Sequence, residues 1–245
     1  MLCSSLCNLN QLGRTHAGEG LVLGVDQTGS CAVQVYWMTG RQSDSHSVLK
    51  LCLDGDRLFT KVVDPAKTIE PNQGIYNAMR RSGNSFIVGN GNQTDAAVPY
   101  LKGFCRRTLQ EVLNTHHFDA NATPRITGNT YIQNNGSCLT ELALLRMSEV
   151  VAQPHCLRFY YDFGHISPGV GFCLTTHSDD GDSLLPFFGE PKPYPLTGNA
   201  EYILNTYWAA LNKESRVSIA VKFIYLGTAK SRTIIKNRCT KCVVG

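Results

Sequence analysis

Four polar segments carry residue types that could bind or transform a small molecule. The first, 39–47, combines Arg41 with several hydroxyls, including Ser43 and Ser45, and a glycine where backbone could approach an anion. The second, 89–95, holds two glycines and three amides, which suit a turn whose N–H groups face a ligand at a helix start. A polar loop and a plain strand-to-helix turn are the respective alternatives.

The third and fourth segments offer a rigid cation and a long irregular region. Arg125 follows a proline at 123–128, so it could be a fixed cation, although an arginine at a strand edge is more often a surface residue. The fourth segment starts with the glycine-containing stretch 167–171 and includes a long loop to residue 191. Such a stretch could act as a lid.

Apolar, β-branched runs separated by turn residues predict the strands that position these segments. Residues 20–26 and 31–38 predict one hairpin, and 48–53 and 58–63 predict another with an Asp-Gly turn. Further strands are predicted at 85–89, 125–133, 138–147, 157–163, 171–176 and 217–226. Because hairpins dominate, we expect antiparallel sheets with helices packed outside, which is the α+β class.

Two amphipathic helices are predicted. Apolar residues recur at helical spacing over 95–113, with Thr94 or Asp95 as the cap, and this pattern predicts one long outer helix. The second helix is predicted at 200–211, with Thr197 or Asn199 as its cap.

The composition is that of a globular protein. The 245 residues are 42% hydrophobic and 17% charged, which allows a sizeable core and argues against disorder. No repeat or linker divides the chain, so we predict a single domain, 1–245, with peripheral termini at 1–18 and 228–245. No apolar run approaches the roughly 18–20 residues that span a bilayer, and no secretory signal is recognised. We therefore expect a soluble cytoplasmic protein without a membrane partner.

The positive charge and the cysteines have simple interpretations. Residues 227–245 carry five basic side chains and no acid, but no interleaved aromatic, so we favour a solvated strand and tail and expect no nucleic-acid partner. The ten cysteines lie mostly in apolar stretches, which predicts reduced thiols with at most one disulfide. Cys239 and Cys242, with Cys3 and Cys7, could hold zinc, but one CxxC is weak evidence and no metal is predicted.

Six segments together resemble the IMP cyclohydrolase-like family in its archaeal, single-function form. They are YWMTGRQSDS (36–45), IYN (75–77), VGNGNQTD (88–95), TPRITG (123–128), PGVGFCLTTH (168–177) and PFFGEP (186–191), in the family's order. The resemblance implies an Ntn-hydrolase-like four-layer αββα sandwich with two mainly antiparallel sheets. It also implies a step of purine biosynthesis in which the carboxamide nitrogen of formamidoimidazole carboxamide ribonucleotide attacks the formyl carbon, water leaves and IMP forms.

The implied reaction makes modest demands on the protein. Nucleophile and electrophile lie in one molecule, so the enzyme must fold the substrate, polarise the formyl oxygen and move protons. No cofactor is required. The resemblance thus implies a hydrolase acting on C–N bonds in cyclic amidines, with a nucleotide-like small molecule as partner, and it leaves a homo-oligomer open.

The motifs also imply roles for individual residues. Arg125 would orient the substrate and stabilise the developing oxyanion, and Tyr76 would face the reacting ring. His117 or Asp119 would supply a proton, because the family usually has an acid shortly before the TPRI motif. The implied substrate-binding residues are Arg41, Ser43 and Ser45 for the phosphate, with Asn77, Asn90, Asn92, Asp95 and Thr123 for the rest of the substrate.

Two departures from the family pattern keep other functions open. Residues 17–20 read AGEG where the family has a PGRG-like stretch, so an acid, Glu19, replaces a cation, and His46 and Ser47 stand where an arginine is usual. Each lost charge-assisted contact weakens a phosphate site by roughly 1.5–3 kcal/mol. The alternatives are a diverged cyclase or amide-type hydrolase acting on a non-phosphorylated molecule in specialised metabolism, a non-catalytic binding protein, and an autoprocessing hydrolase with Cys3 or Cys7 as nucleophile.

Overall fold

The computed structural model describes residues 2–14, 18–40, 49–63, 74–102, 107–117, 123–148, 155–178 and 185–238. Arg41, Ser43, Ser45, Asp119 and the Cys239–Cys242 pair lie outside these ranges. In chain order the elements are α1 (Leu2–Gln11), a 3₁₀ helix (Leu12–Arg14), β1 (Gly18–Val25), β2 (Cys31–Thr39), β3 (Leu49–Asp54), β4 (Arg57–Val62), β5 (Asn77–Ser82), β6 (Ser85–Gly89), α2 (Gln93–Ala97), α3 (Leu109–Leu113), β7 (Arg125–Ile132), β8 (Cys138–Met147), β9 (Cys156–Gly164), β10 (Val170–Thr175), β11 (Lys192–Pro195), α4 (Ala200–Ala210), β12 (Arg216–Tyr225) and β13 (Ser231–Asn237).

The strands form two sheets that pack face to face. The first sheet has the order β11-β10-β1-β2-β12-β13, and the second has the order β3-β4-β5-β6-β7-β8-β9. All of their described strand pairs are antiparallel, and most join strands that are consecutive in the chain. The predicted α+β sandwich of two antiparallel sheets is therefore confirmed, while its relation to the Ntn hydrolases stays a prediction.

Alternation along the strands produces three apolar layers. Leu21 and Leu23 of β1 pack between the sheets against Val88 and Ile126 of the second sheet. The intervening Val22 faces the opposite way, into a cluster with residues of α1 and α4. A third cluster joins the outer face of the second sheet to α2 and α3. Because each sheet buries both faces, the described elements stack as helix, sheet, sheet and helix layers.

The long helix predicted over 95–113 is wrong. The structure has two short helices, α2 and α3, and residues 98–102 form turns between them. Pro99 explains the break, because proline lacks the amide donor that would continue the helical hydrogen-bond ladder. α3 has its own start signal, since the Thr108 side chain accepts from the Glu111 amide and Glu111 caps in return.

The other predicted helix and strands agree with the structure to within one or two residues. Asn199 is the N-cap of α4, and its side chain accepts a hydrogen bond from the amide of Tyr202. The elements that the sequence patterns did not predict are α1, β5, β11 and β13. Of these, β5 reads NAMRRS, and its polar side chains hide the strand pattern.

Both ends of the described chain belong to the layer built on the first sheet. Leu9 and Leu12 belong to the core between the first sheet and its helices, and β13 is the edge strand beside β12. The cysteines present as free thiols within the described residues are Cys7, Cys31, Cys52, Cys138, Cys156 and Cys173. The helices of the described part are all too short or too polar to cross a membrane.

A buried lysine joins the two sheets. Lys222 of β12 is fully buried, and its Nζ donates to the backbone carbonyl of Asp56 at 2.8 Å, in the turn between β3 and β4. Nζ also lies 3.9 Å from the Asp56 carboxylate, which Arg81 contacts from β5. Burial lowers the pKa of Lys222 to about 8, because the nearby carboxylate offsets only part of the desolvation and Arg81 opposes the charge.

This lysine predicts a pH-dependent stability difference. A folded pKa below the unfolded value means that the unfolded state binds more protons between about pH 8 and 10.4, so stability rises with pH through that window. Wild type should therefore gain about 2 kcal/mol in unfolding free energy relative to Lys222→Met between pH 7 and 9.5. Urea unfolding at several pH values measures this, with the exposed Lys213→Met as control. A pH-independent difference between wild type and Lys222→Met would contradict the prediction.

Candidate active site

The strand ends that carry the polar motifs lie at one end of the sandwich. The starts of β1, β5 and β7 and the ends of β2, β6 and β10 meet there, because antiparallel pairing places the start of one strand beside the end of its neighbour. Glu19 thus lies opposite Met38, and Gly89 lies opposite Thr127. Side chains from both sheets can therefore converge on one cleft between the sheets.

Asn90 fixes the turn after β6 to the start of β7. Its Nδ2 donates to the Pro124 carbonyl at 2.9 Å, and its Oδ1 accepts from the Ile126 amide at 2.8 Å. Gln93 also donates to Oδ1, at 3.3 Å. The residue is 1% exposed, and its side-chain hydrogen bonds hold the backbone of Pro124 and Ile126 against the turn after β6. The structure thereby gives Asn90 a positioning role.

Arg125 is held as a fixed cation by this turn. Its Nη1 donates to the Asn90 carbonyl at 2.7 Å, and the guanidinium lies across Gly91. A Cβ at Gly91 would sit 2.4 Å from Nη1, so only glycine leaves room for the arginine in this position. The glycine-rich motif and the arginine motif, which are far apart in sequence, therefore form one unit.

Two phenols lie beside this unit. The hydroxyls of Tyr36 and Tyr76 are 2.6 Å apart, and Tyr76 also contacts the sulfur of Met38 at 3.5 Å. Burial raises the pKa of each tyrosine well above its usual value, and Glu19 raises both further, while Arg125 acts in the opposite direction. Both side chains are therefore neutral phenols at physiological pH.

Glu19 is a buried acidic side chain beside these phenols. It is 5% exposed and accepts a hydrogen bond from the Tyr76 hydroxyl, and Asn90 Nδ2 lies 3.5 Å from its Oε2. Its backbone is fixed by Thr176, whose amide donates to the Glu19 carbonyl at 2.9 Å and whose Oγ1 accepts from the Glu19 amide at 3.1 Å. His177 Nδ1 lies 2.9 Å from the same Oγ1.

Four residues of this cluster are not among the site residues predicted from the sequence. Glu19 is interpreted there only as a lost cation, and Tyr36, Thr176 and His177 have no predicted role. The signal was present, since Tyr36 opens the YWMTGRQSDS motif and Thr176 and His177 close PGVGFCLTTH. What the motifs could not show is which of their side chains point between the sheets.

Asn77 and Asp95 contact each other and tie α2 to β5. Asn77 Nδ2 donates to Asp95 Oδ2 at 2.7 Å, and Arg80 Nη1 lies 2.8 Å from Asp95 Oδ1. Asn92 is the exposed N-cap residue of α2, and its side chain makes no capping hydrogen bond. The Asp95 carboxylate is thus engaged by two side chains of β5, on the outer side of the Gly89–Asn90 turn.

The remaining predicted residues lie at the edges of the cluster or beyond it. Thr123 directly precedes Pro124, whose carbonyl accepts from Asn90. His117 follows α3, and its Nε2 lies 3.4 Å from Nη2 of Arg158 on β9. The register places Arg158 two strands from Arg125, about 10 Å away along the sheet. The described hydrogen bonds therefore connect His117 to Arg158 and not to the two phenols.

The PFFGEP segment crosses from the first sheet to the second beside the cleft. Pro186 bridges to His177, while Tyr161 of β9 donates to the Gly189 carbonyl at 3.0 Å. Phe188 is 79% exposed and lies 5.8 Å from the guanidinium of Arg146, at the end of β8. A small cavity of about 60 Å³ lies next to it, lined in part by Phe187 and Phe188. That the segment 167–191 acts as a lid stays a prediction.

The fold and the site define a class of protein: a sandwich of two antiparallel sheets that carries a cation, a buried acid and two phenols at one end. These groups are suited to proton transfer and oxyanion stabilisation. The family model for IMP cyclohydrolase-like proteins matches residues 16–228, so the chain belongs to the IMP cyclohydrolase-like family. This membership indicates an enzyme of the cyclohydrolase type. No curated protein gives a significant match.

Proposed function

We propose that the protein closes the purine ring of formamidoimidazole carboxamide ribonucleotide by attack of the carboxamide nitrogen on the formyl carbon, with loss of water to form IMP. The observation that carries the proposal is the Arg125 guanidinium, held by the Asn90 carbonyl at 2.7 Å at the end of the sandwich where Tyr76 also lies. A rigid cation and a neutral phenol are the groups that a reacting formyl oxygen needs as its charge develops.

The geometry favours a reaction that needs orientation more than a nucleophile. In an intramolecular closure, holding the two groups in the reactive conformer supplies up to about 7–11 kcal/mol of the barrier. Arg125 would meet the oxygen that becomes negative when nitrogen adds to the formyl carbon. Tyr76 would lie against the reacting ring. The departing water takes the formyl oxygen with one proton from each nitrogen.

The binding roles follow the same proposal. Arg41, Ser43 and Ser45 would hold the phosphate, and Asn92 and Thr123 would contact the ribose or base. Asn77, Asn90 and Asp95 would shape this wall, given the hydrogen bonds that they make within the protein. His117 and Asp119 would be the external proton donors of the site.

The direct test is conversion of the formamido ribonucleotide by the purified protein. We expect IMP to accumulate, followed by its ultraviolet absorbance and by chromatography, and we expect the rate to survive an excess of chelator, since the proposed steps use only protein groups. A heat-inactivated sample controls for uncatalysed closure. Absence of IMP at high enzyme concentration would contradict the proposal.

A second candidate is ring closure of a non-phosphorylated analogue, and one observation favours it. Glu19, which replaces a family cation, is a buried carboxylate rather than a solvated one. An anionic group next to it would be repelled with little screening by water. Comparing the formamido ribonucleoside with its 5′-phosphate separates the candidates. Conversion of the nucleoside alone would favour the second, and a higher kcat/KM for the phosphate would favour the first.

A further inference from the structure

Glu19, Tyr76 and Tyr36 form a hydrogen-bonded chain with a definite direction. An ionised carboxylate can only accept, so the Tyr76 proton points to Glu19. The Tyr76 oxygen must then accept from Tyr36, whose hydroxyl oxygen is 2.6 Å away. Tyr36 is fully buried and Tyr76 is half-buried, so of the two phenol side chains Tyr76 is the one with some solvent-exposed surface.

The direction of this chain has a consequence for catalysis. While Glu19 is ionised, the only proton of Tyr76 is committed to it and is not available to a substrate oxygen. Once Glu19 is protonated, it can donate to Tyr76, and Tyr76 can donate its own proton elsewhere. The protonation state of Glu19 therefore decides whether Tyr76 is an acid toward the ligand.

We propose that Glu19 is a catalytic residue that takes the proton of the attacking carboxamide nitrogen and thereby turns Tyr76 into the acid that protonates the carbinolamine oxygen. This inference rests on the proposed ring closure. The carboxylate that sequence comparison marks as a lost cation is then the acid–base group of the site.

The step balances in atoms and electrons. The nitrogen lone pair forms the N–C bond while the C=O π pair moves to oxygen, and the N–H proton passes to Glu19. Tyr76 gives its proton to that oxygen and regains one from Glu19, so both residues return to their starting states. A second proton transfer through Glu19 and Tyr76 then moves the proton of the formamide nitrogen to the hydroxyl. The hydroxyl leaves as water, while the N–H electron pair forms the C=N bond.

The groups around Glu19 support this assignment. From β2 and the start of β5 it faces Tyr36 and Tyr76, whose raised pKa values exclude them as bases near neutrality. Arg125 from β7 is a permanent cation. His177 follows β10, and its Nδ1 lies 2.9 Å from Thr176 Oγ1, which also accepts from the Glu19 amide. Within the described part of the cleft, Glu19 is thus the group placed to accept a proton and pass it to Tyr76.

The test is Glu19→Gln, which keeps the shape but cannot take up the proton. We expect kcat to fall at least ~100-fold, with KM changed by less than about threefold and the acidic limb of the pH–rate profile lost. Tyr76→Phe combined with Glu19→Gln should be no slower than the slower single variant, because the two residues act as one relay. Glu214→Gln, an exposed glutamate, is the matched control and should leave kcat unchanged.

A measurement on the wild-type protein covers the case in which Glu19→Gln does not fold. The NMR shift of a ¹³Cζ-labelled Tyr76 should move as Glu19 is titrated, and a shift that is constant over the titration would overturn the inference. An active wild type whose Glu19→Gln variant turns over equally fast would overturn the inference alone. A wild type that closes no formamido carboxamide overturns the proposed function, and with it the step given to Glu19.

Discussion

Replacing Arg125 by alanine is expected to lower kcat for ring closure by roughly 100- to 1,000-fold, with a much smaller change in KM. The guanidinium is held against Gly91 and the Asn90 carbonyl, so it is a fixed cation, and the proposed ring closure develops its oxyanion beside it. A charge that exists only in the transition state affects turnover rather than substrate binding. Steady-state kinetics with the formamido substrate measure both constants.

Two further variants sharpen this experiment. Arg57→Ala removes an arginine whose ion pair with Asp54 is at a surface turn, and it should leave kcat and KM unchanged. Arg41→Ala should show the opposite pattern to Arg125→Ala, with raised KM and nearly unchanged kcat, because a phosphate is bound equally in the ground and transition states. A folded Arg125→Ala protein with wild-type turnover would remove Arg125 from the mechanism.

Gly24→Ala should destabilise the fold by at least about 3 kcal/mol, because the new methyl group has no space and no flexible neighbour. A Cβ at this position would lie 2.1 Å from the Val170 carbonyl oxygen and 2.4 Å from Gly171 Cα, which are backbone atoms of β10. β1 and β10 would have to separate, and with them the pairing that brings Thr176 to Glu19.

Urea unfolding measures the effect of Gly24→Ala. Gly227→Ala is the matched control, since a Cβ there meets nothing within 4 Å, and it should change the unfolding free energy by less than about 0.5 kcal/mol. Equal midpoints and slopes for wild type and Gly24→Ala would show that the strands accommodate the methyl group and would contradict the prediction.

Local signals predicted most of the secondary structure because they act between near neighbours in the chain. In the first hairpin, the Asp26 carboxylate accepts from the Thr28 hydroxyl and the Cys31 amide, so the turn is stabilised by residues within five positions. A local effect also explains why the prediction of one long helix over 95–113 is wrong. Periodic apolar residues indicated one helix, but the strictly local effect of Pro99 divides it.

The family motifs also point to residues that are distant in sequence and lie close together in the structure. The motifs imply site roles for Arg125, Tyr76 and Asn90, and the structure places all three at the same end of the sandwich. Their predicted roles are a separate matter: Asn90 holds backbone, and the catalytic parts given to Arg125 and Tyr76 await the kinetic tests. The amide of Asn90 gave no local indication of its partners, since Pro124 and Ile126 are more than thirty residues away.

The sequence by itself determined the alternation of buried and exposed residues along the strands and the hairpins that make the sheets antiparallel. It also determined the family that the motifs resemble. These properties follow from side chains a few residues apart and from motif order. Only the tertiary structure decided the meaning of Glu19. Read in the chain, it is a lost cation. In the fold, antiparallel pairing and sheet packing bury its carboxylate against Tyr76, fifty-seven positions away, and burial makes that contact an electrostatically strong one.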